Sequence, residues 1–265
     1  MQAAPAPTVS PASPSLRRAP RALWRLTCAV LHVLHGLAIV LWRFPHLDAA
    51  QRAARIGWWS AKQLRLLGLQ LHSSGTPRPG ATLLVANHIS WLDIAALHAV
   101  VPHARFVSKA DVLRWPLLGR LIGGAGTLFI ERERKRDALR VVHAIASSLQ
   151  AGQTVAVFPE GTTGDGRSVL PFHANLLQAA VSTGTPVQPA LLRFSQPGQP
   201  FSDTVEYLGD TSLAQSMWRV ACARDLAVHV QLLEPMGTRH ADRRALAEHL
   251  RETVAAALAD ATRSA

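Results

Sequence analysis

From about residue 80 onward the chain alternates short, apolar, β-branched runs with stretches of helical period, and this alternation limits the possible folds more than any other feature. The runs Thr82–Ala86, Arg105–Ser108, Leu128–Glu131, Thr154–Pro159, Val187–Phe194, Val205–Leu208 and Ala227–Leu233 read as strands. Helical patterns lie at Trp91–Val100, Lys135–Gln150, Ala174–Ser182, Leu213–Ala221 and Ala241–Ala259, several of them closed by Gly or Pro. Alternation of this kind implies an α/β fold, with a mixed, mostly parallel sheet flanked by helices. The last helix sets Leu246, Leu250, Val254 and Leu258 on one face, which core packing alone explains.

The front of the chain has a different character. Residues 1–20 are dominated by Ala, Pro and Ser and bury too little apolar surface to order themselves, so they read as a disordered tail. Residues 1–70 hold nine Lys or Arg against the single acid Asp48, most of the net charge of +11. A basic front end attracts polyanions, either a phospholipid surface or nucleic acid. Its apolar neighbours favour the lipid. Seventeen uncharged residues separate Arg25 from Arg43, and as a helix they would reach about 26 Å, just short of a hydrocarbon core about 30 Å thick.

His32, His35 and Gly36 interrupt that run, so the reading is a membrane-embedded or interfacial helix. A core-packed helix and a cleaved signal peptide are the alternatives, although no clear small-residue cleavage pattern follows the run. A second helix, Ala49–Leu67, places Ala53, Ile56, Ser60, Leu64 and Leu67 on one narrow face, with Arg52, Arg55, Lys62 and Arg65 away from it and Trp58 and Trp59 nearby. That pattern suits the headgroup level of a bilayer, and equally a helix docked on the domain. Nucleic acid is disfavoured, because no stacking or groove-reading motif accompanies the charge. Cys28 and Cys222 lie far apart without metal-ligand spacing, so neither a disulfide framework nor a zinc site is expected.

The segment LLVANHISWLDIAAL carries the chemistry: a buried-type strand runs out at Asn87-His88, and a helix begins near Ser90. His88 and Asp93 are five residues apart across that turn, a separation that can bring imidazole and carboxylate together. A carboxylate on one ring nitrogen fixes the tautomer and leaves the other nitrogen free to accept a proton. The competing reading is local, since Ser90-Trp91-Leu92-Asp93 is also a capping-box-like pattern in which Asp93 only satisfies helix amides.

NHISWLD matches the N-H-x-x-x-x-D signature of the glycerolipid acyltransferases, and GTLFIER (Gly126 to Arg132), FPEGT (Phe158 to Thr162) and TPVQPA (Thr185 to Ala190) follow in family order. SKADVLRWPLLGRL is similar to the family's Lys-containing segment, so the resemblance spans roughly residues 75 to 195. The chain thus resembles the 1-acyl-sn-glycerol-3-phosphate acyltransferase family. The resemblance implies His88 as general base and Asp93 as its orienting partner. It assigns Asn87, Ser90, Lys109, Gly126, Arg132, Pro159, Glu160, Gly161 and Thr162 to the substrate site. Arg132 has a second reading as a surface arginine in the charged run ERERKR, and the three glycines of FPEGTTGDGRS fit an ordinary turn as well as a ligand loop.

The implied organisation is a tail at 1–20, membrane-associated helices at 21–72 and an acyltransferase domain at 73–265. The implied reaction moves a fatty acyl group from an acyl thioester of acyl-carrier protein or coenzyme A to a lysolipid hydroxyl. It needs no metal or other cofactor. The expected surroundings are membrane phospholipids, with the site on the cytoplasmic face of the inner membrane.

Lysophosphatidic acid is the first expectation for the acceptor, being the commonest in the family. The common pattern has a basic residue after FPEGT, whereas this chain has Thr163, and its loop also looks like that of relatives acting on lyso-ornithine lipid. A serine esterase using Ser90 is disfavoured because no G-x-S-x-G elbow is present. A non-enzymatic membrane-binding module leaves the ordered blocks unexplained.

Overall fold

The computed structural model describes residues 19–109, 118–124, 126–130 and 135–263. Strands β1 (Leu69–Ser74), β2 (Thr82–Ala86), β3 (Arg105–Lys109), β4 (Leu128–Ile130), β5 (Thr154–Val157), β6 (Val187–Ser195) and β7 (Leu226–Leu232) form one seven-stranded sheet in the order β1-β7-β6-β2-β5-β3-β4. Every neighbouring pair is parallel except β6 and β7. The helices are α1 (Ala19–Ala38), α2 (Ala49–Leu67), α3 (Leu92–Val100), α4 (Leu118–Gly124), α5 (Lys135–Gln150), α6 (Gln178–Thr183), α7 (Leu213–Cys222) and α8 (Arg243–Arg263). This is the mixed, mostly parallel sheet with flanking helices that the alternation implies.

Pleating sorts the core into two layers. On one face Leu84, Ala86, Leu192, Phe194, Val228 and Val230 meet Leu64 and Leu67 of α2, Leu92 and Leu97 of α3, and Val220 of α7. On the other, Leu83, Val85, Val155, Val157, Val187 and Leu191 meet Ile145 and Leu149 of α5, Ala179 and Ala180 of α6, and Leu250, Val254 and Leu258 of α8. Strand β2 is buried along its whole length between these layers, so the turn that follows it is anchored from both sides.

Three elements differ from the sequence reading, one of them helix α4 at Leu118–Gly124, for which no helical pattern is read. Val205–Leu208 is not a strand: Asp203–Val205 forms a single 3-10 turn, and the next carbonyls are taken by side chains, Glu206 by Arg219 and Tyr207 by Thr163. The seventh strand is instead β1, which pairs in parallel with β7 from Leu69↔Leu226 to Ser74↔Gln231. It runs across the expected boundary between residues 72 and 73, so the sheet begins at Leu69. Strand β5 stops at Val157, because Pro159 lacks the N–H that a ladder needs.

Residues 1–18 of the expected tail lie outside the described residues, and Ala19 and Pro20 already belong to α1. Helix α1 continues through a π turn (Ile39–Arg43) and a 3-10 turn (Phe44–His46). The 28-residue stretch Ala19–His46 is long and apolar enough to cross a membrane. Helix α2 opens with a capping box between Asp48 and Gln51. Its Leu64 and Leu67 enter the domain core, so the apolar stripe read from sequence docks on the domain, and Arg52, Arg55 and Arg65 stay exposed.

The polar interruptions of the α1 run face α2. His32 stacks on Trp59 with ring centroids 5.0 Å apart. The pair also bonds twice at 3.0 Å, between His32 Nε2 and the Trp59 carbonyl and from Trp59 Nε1 to the His32 carbonyl. Gly36 makes the approach possible, because a Cβ there would sit 2.4 Å from Trp59 Nε1. Gly36→Ala is expected to destabilise the helix pair by about 1–3 kcal/mol through overpacking. Faster limited proteolysis between α1 and α2 reads this out, and unchanged cleavage would contradict the tight contact.

Candidate active site

Because β2 ends buried at Ala86, the residues after it leave the sheet at a defined point. Asn87 extends the ladder with its side chain: Nδ2 donates to the Leu192 carbonyl at 3.0 Å and Oδ1 accepts from the Leu192 amide at 2.8 Å. Both groups of the buried carboxamide are therefore spent on β6, and Asn87 sets where His88 emerges.

His88 Nδ1 lies 2.7 Å from Asp93 Oδ2. Asp93 is fully buried, at 0% exposure. The same carboxylate oxygen accepts the amides of Ile89 at 2.6 Å and Ser90 at 2.9 Å. The two sequence readings of Asp93 thus coincide in one atom, which ties down the turn before α3 and also holds the imidazole. An ionised carboxylate only accepts, so Nδ1 carries the ring proton and Nε2 presents a lone pair. The His88 side chain is 22% exposed, and Phe158 stacks against it at 4.2 Å with ring planes 14° apart. Ser90 is completely buried and its hydroxyl has no partner among the described residues. Without a Ser–His hydrogen bond, Ser90 cannot be activated as a nucleophile.

The loop after β5 closes over this turn. Glu160 Oε2 accepts the His88 amide at 2.8 Å and Oε1 accepts the Leu170 amide at 3.0 Å, while the Gly164 amide donates to the His88 carbonyl at 2.7 Å. His88 is therefore held through both backbone polar groups and through Nδ1. Burial raises the Glu160 pKa to about 7, against the pull of those two amides. Gly161 and Gly166 have φ of 71° and 74°, and a Cβ on Gly166 would lie 2.9 Å from Ile89. A side chain at either position would be strained.

The linkage gives an expected pH dependence. Glu160 ordinarily titrates near 4.5 and in the fold near about 7. Its stabilising contribution is complete below pH 4.5 and is lost as pH rises through 7. The Tm of the wild type relative to Glu160→Gln should therefore fall across this window. A constant difference would contradict a protonated Glu160.

The remaining sequence-derived positions fall in three places. Pro159, Glu160, Gly161 and Thr162 lie on the loop beside His88, with Pro159 buried and Gly161 and Thr162 exposed. Lys109 closes β3, and Arg132 lies outside the described residues. Gly126 is not brought to the dyad: it precedes β4 at the opposite, amino edge of the parallel strands, where its carbonyl accepts from Arg105 Nε at 2.6 Å. Phe158 as a ring platform and Leu170 as the second anchor of Glu160 are visible only in the structure. An aromatic directly after a strand in the same block as Glu160 is the only local hint of the first.

A family model described as Acyltransferase matches residues 70–193. A lyso-ornithine lipid O-acyltransferase of Pseudomonas aeruginosa is 36% identical over 229 residues, covering 84% of this chain and 88% of that protein. A 1-acyl-sn-glycerol-3-phosphate acyltransferase of Neisseria meningitidis is 34% identical over 195 residues, covering 73% of this chain and 76% of that one. The crystal structure of the 1-acyl-sn-glycerophosphate (LPA) acyltransferase from Thermotoga maritima shares the fold, with a TM-score of 0.71 over 94% of this chain and 97% of that one at 20% identity.

These likenesses define an acyltransferase. The chain belongs to the lysolipid acyltransferase family, which includes both 1-acyl-sn-glycerol-3-phosphate acyltransferases and lyso-ornithine lipid O-acyltransferases.

Proposed function

We propose that this enzyme transfers a fatty acyl group from a thioester of acyl-carrier protein or coenzyme A to the hydroxyl of lyso-ornithine lipid. His88 Nε2 takes the proton of the acceptor hydroxyl as its oxygen attacks the thioester carbonyl. Asp93 stabilises the imidazolium that forms, and the collapse of the tetrahedral intermediate expels the thiolate, which recovers the proton from His88. One oxygen–acyl bond forms on addition and one sulfur–acyl bond breaks on collapse, so atoms and charge balance without a metal.

The observation that carries the acceptor is the charge around the loop beside His88. Thr163, at the position where a base is common, donates its hydroxyl to the Tyr207 carbonyl. Asp165, Asp203 and Glu206 gather at this rim with Arg167 and Arg219. Arg167 is paired with Asp203 and stands 5.7 Å over the Phe201 ring. Glu206 is pushed above the usual carboxylate range by burial, and then by Asp203. Three carboxylates against two guanidiniums leave this rim with an excess of acidic groups, which favours the amine of an ornithine headgroup over a phosphomonoester dianion. Arg132 is the proposed partner of the headgroup carboxylate.

This ranking reverses the first expectation from sequence. Lysophosphatidic acid stays the second reading, supported by the Neisseria meningitidis relative. Side-by-side rates on the two lysolipids decide between them. The wild type should prefer lyso-ornithine lipid, and Thr163→Arg should shift the preference about tenfold towards lysophosphatidic acid, the effect of one charge-assisted contact. A wild-type preference for lysophosphatidic acid would overturn the assignment.

Such an acceptor resides in a bilayer, and α1 offers the means to reach it. Trp24 is 70% and Trp42 73% exposed, with Leu23, Leu31 and Leu41 also exposed. We place this face in phospholipid at the cytoplasmic side of the inner membrane, with the exposed arginines of α2 near anionic headgroups.

A further inference from the structure

At the sheet edge away from β4, three side chains stand in register on one face of adjacent strands: Arg193 of β6 opposite His229 of β7, and His229 opposite His72 of β1. Helix α8 covers β6 but reaches this row only near its end. A cavity of about 240 Å³ remains, lined by Arg193, His229, His72, Ser74, Gln231 and Ala261 among others.

Arg193 is 7% exposed. Its hydrogen bond among the described residues runs from Nη1 to the Pro200 carbonyl at 2.8 Å, which leaves most of its donors unused. No ion pair of the described residues includes it. Asp260, the residue before Ala261, is exposed and paired with Arg263. A buried guanidinium without a counter-ion is costly unless an anion joins it.

Of the neighbours, His229 adds a hydrogen-bonding group without adding charge. His229 bonds to Ser195 Oγ at 2.8 Å and stacks on His72 at 5.0 Å. Burial, the Arg193 charge and His72 lower its pKa to about 4, so it is neutral at pH 7. One fixed cation is thus surrounded by neutral imidazole, hydroxyl and carboxamide groups. A planar fork with several further donors around it suits a tetrahedral oxyanion with three or four acceptor oxygens better than a two-oxygen carboxylate.

We propose that this cavity, which shares no lining residue with the His88–Asp93 dyad, is a second site that binds one phosphate group on Arg193. The group comes either from free inorganic phosphate or from a phosphate ester of a coenzyme A donor, and both present the same terminal oxygens.

Thermal unfolding of the purified, detergent-solubilised full chain tests this at pH 7, in sodium phosphate, coenzyme A or sodium acetate, each against sodium chloride of equal ionic strength. Phosphate at about 100 times Kd should raise Tm by roughly 5–10 °C and saturate. Arg193→Met should abolish the shift. Because that variant could fail to fold, Ser74→Asp provides the second test by placing a carboxylate at the exposed mouth of the cavity, and it too should lose the shift. A shift with inorganic phosphate that Ser74→Asp removes supports the free ion as the source. A shift with coenzyme A alone that Ser74→Asp removes supports the donor ester. No saturable shift with either, a shift that Ser74→Asp leaves intact, or an equal shift with acetate overturns the proposal.

Discussion

His88→Ala is expected to lower acyl transfer about 10²–10⁴-fold, the usual cost of losing a general base, while leaving the fold intact. The imidazole is tethered by its neighbours more than it supports them. Its backbone bonds to Glu160 and Gly164 do not involve the side chain and survive the substitution. What is lost is the Nδ1 bond to Asp93 and the ring contact with Phe158. Unfolding temperature and liposome flotation should stay close to wild type, and turnover close to wild type would remove His88 from the chemistry.

Asp93→Asn separates the two duties of that carboxylate and carries the second large effect. Asparagine can place its carbonyl where Oδ2 now accepts from Ile89, Ser90 and His88. Its NH₂ then takes the place of Oδ1, which is buried without a partner among the described residues. The turn is largely retained, but the charge that stabilises an imidazolium is gone, so kcat should fall about 10²–10⁴-fold with little change in KM. Asp93→Ala should in addition destabilise the protein, because it leaves two buried amides without acceptors at about 1–3 kcal/mol each. If Asp93 only caps the turn, Asp93→Asn will instead keep near-normal turnover.

What could be read from the sequence follows the range of the interactions. His88 and Asp93 meet across a five-residue turn, so their pairing was visible locally, as was the strand that ends before them. The bond between Glu160 and the His88 amide joins residues 72 apart. It depends on β2 and β5 being sheet neighbours, which no local pattern encodes. Strand β1 escaped notice because only Leu69 and Leu71 alternate before the polar HSS, as befits an edge strand with one open side. Val205–Leu208 looked like a strand by composition, yet Thr163 and Arg219 take the carbonyls that a ladder would have used. Gly126 belongs to a motif block that resembles the family's, but a φ of 80° and the bond from Arg105 give it a turn-forming role at the far edge of the sheet.

The central claim, direct transfer from a thioester to a lysolipid hydroxyl with His88 as base, is tested most directly by following both products in one reaction. Purified wild type and His88→Ala are mixed with acyl-carrier protein or coenzyme A thioesters and each lysolipid, while free thiol and acylated lipid are quantified together. The account predicts equimolar thiol and acylated lipid from the wild type, both reduced in parallel by His88→Ala. Thiol release without acylated lipid, or acylated lipid formed at the wild-type rate by His88→Ala, would contradict it.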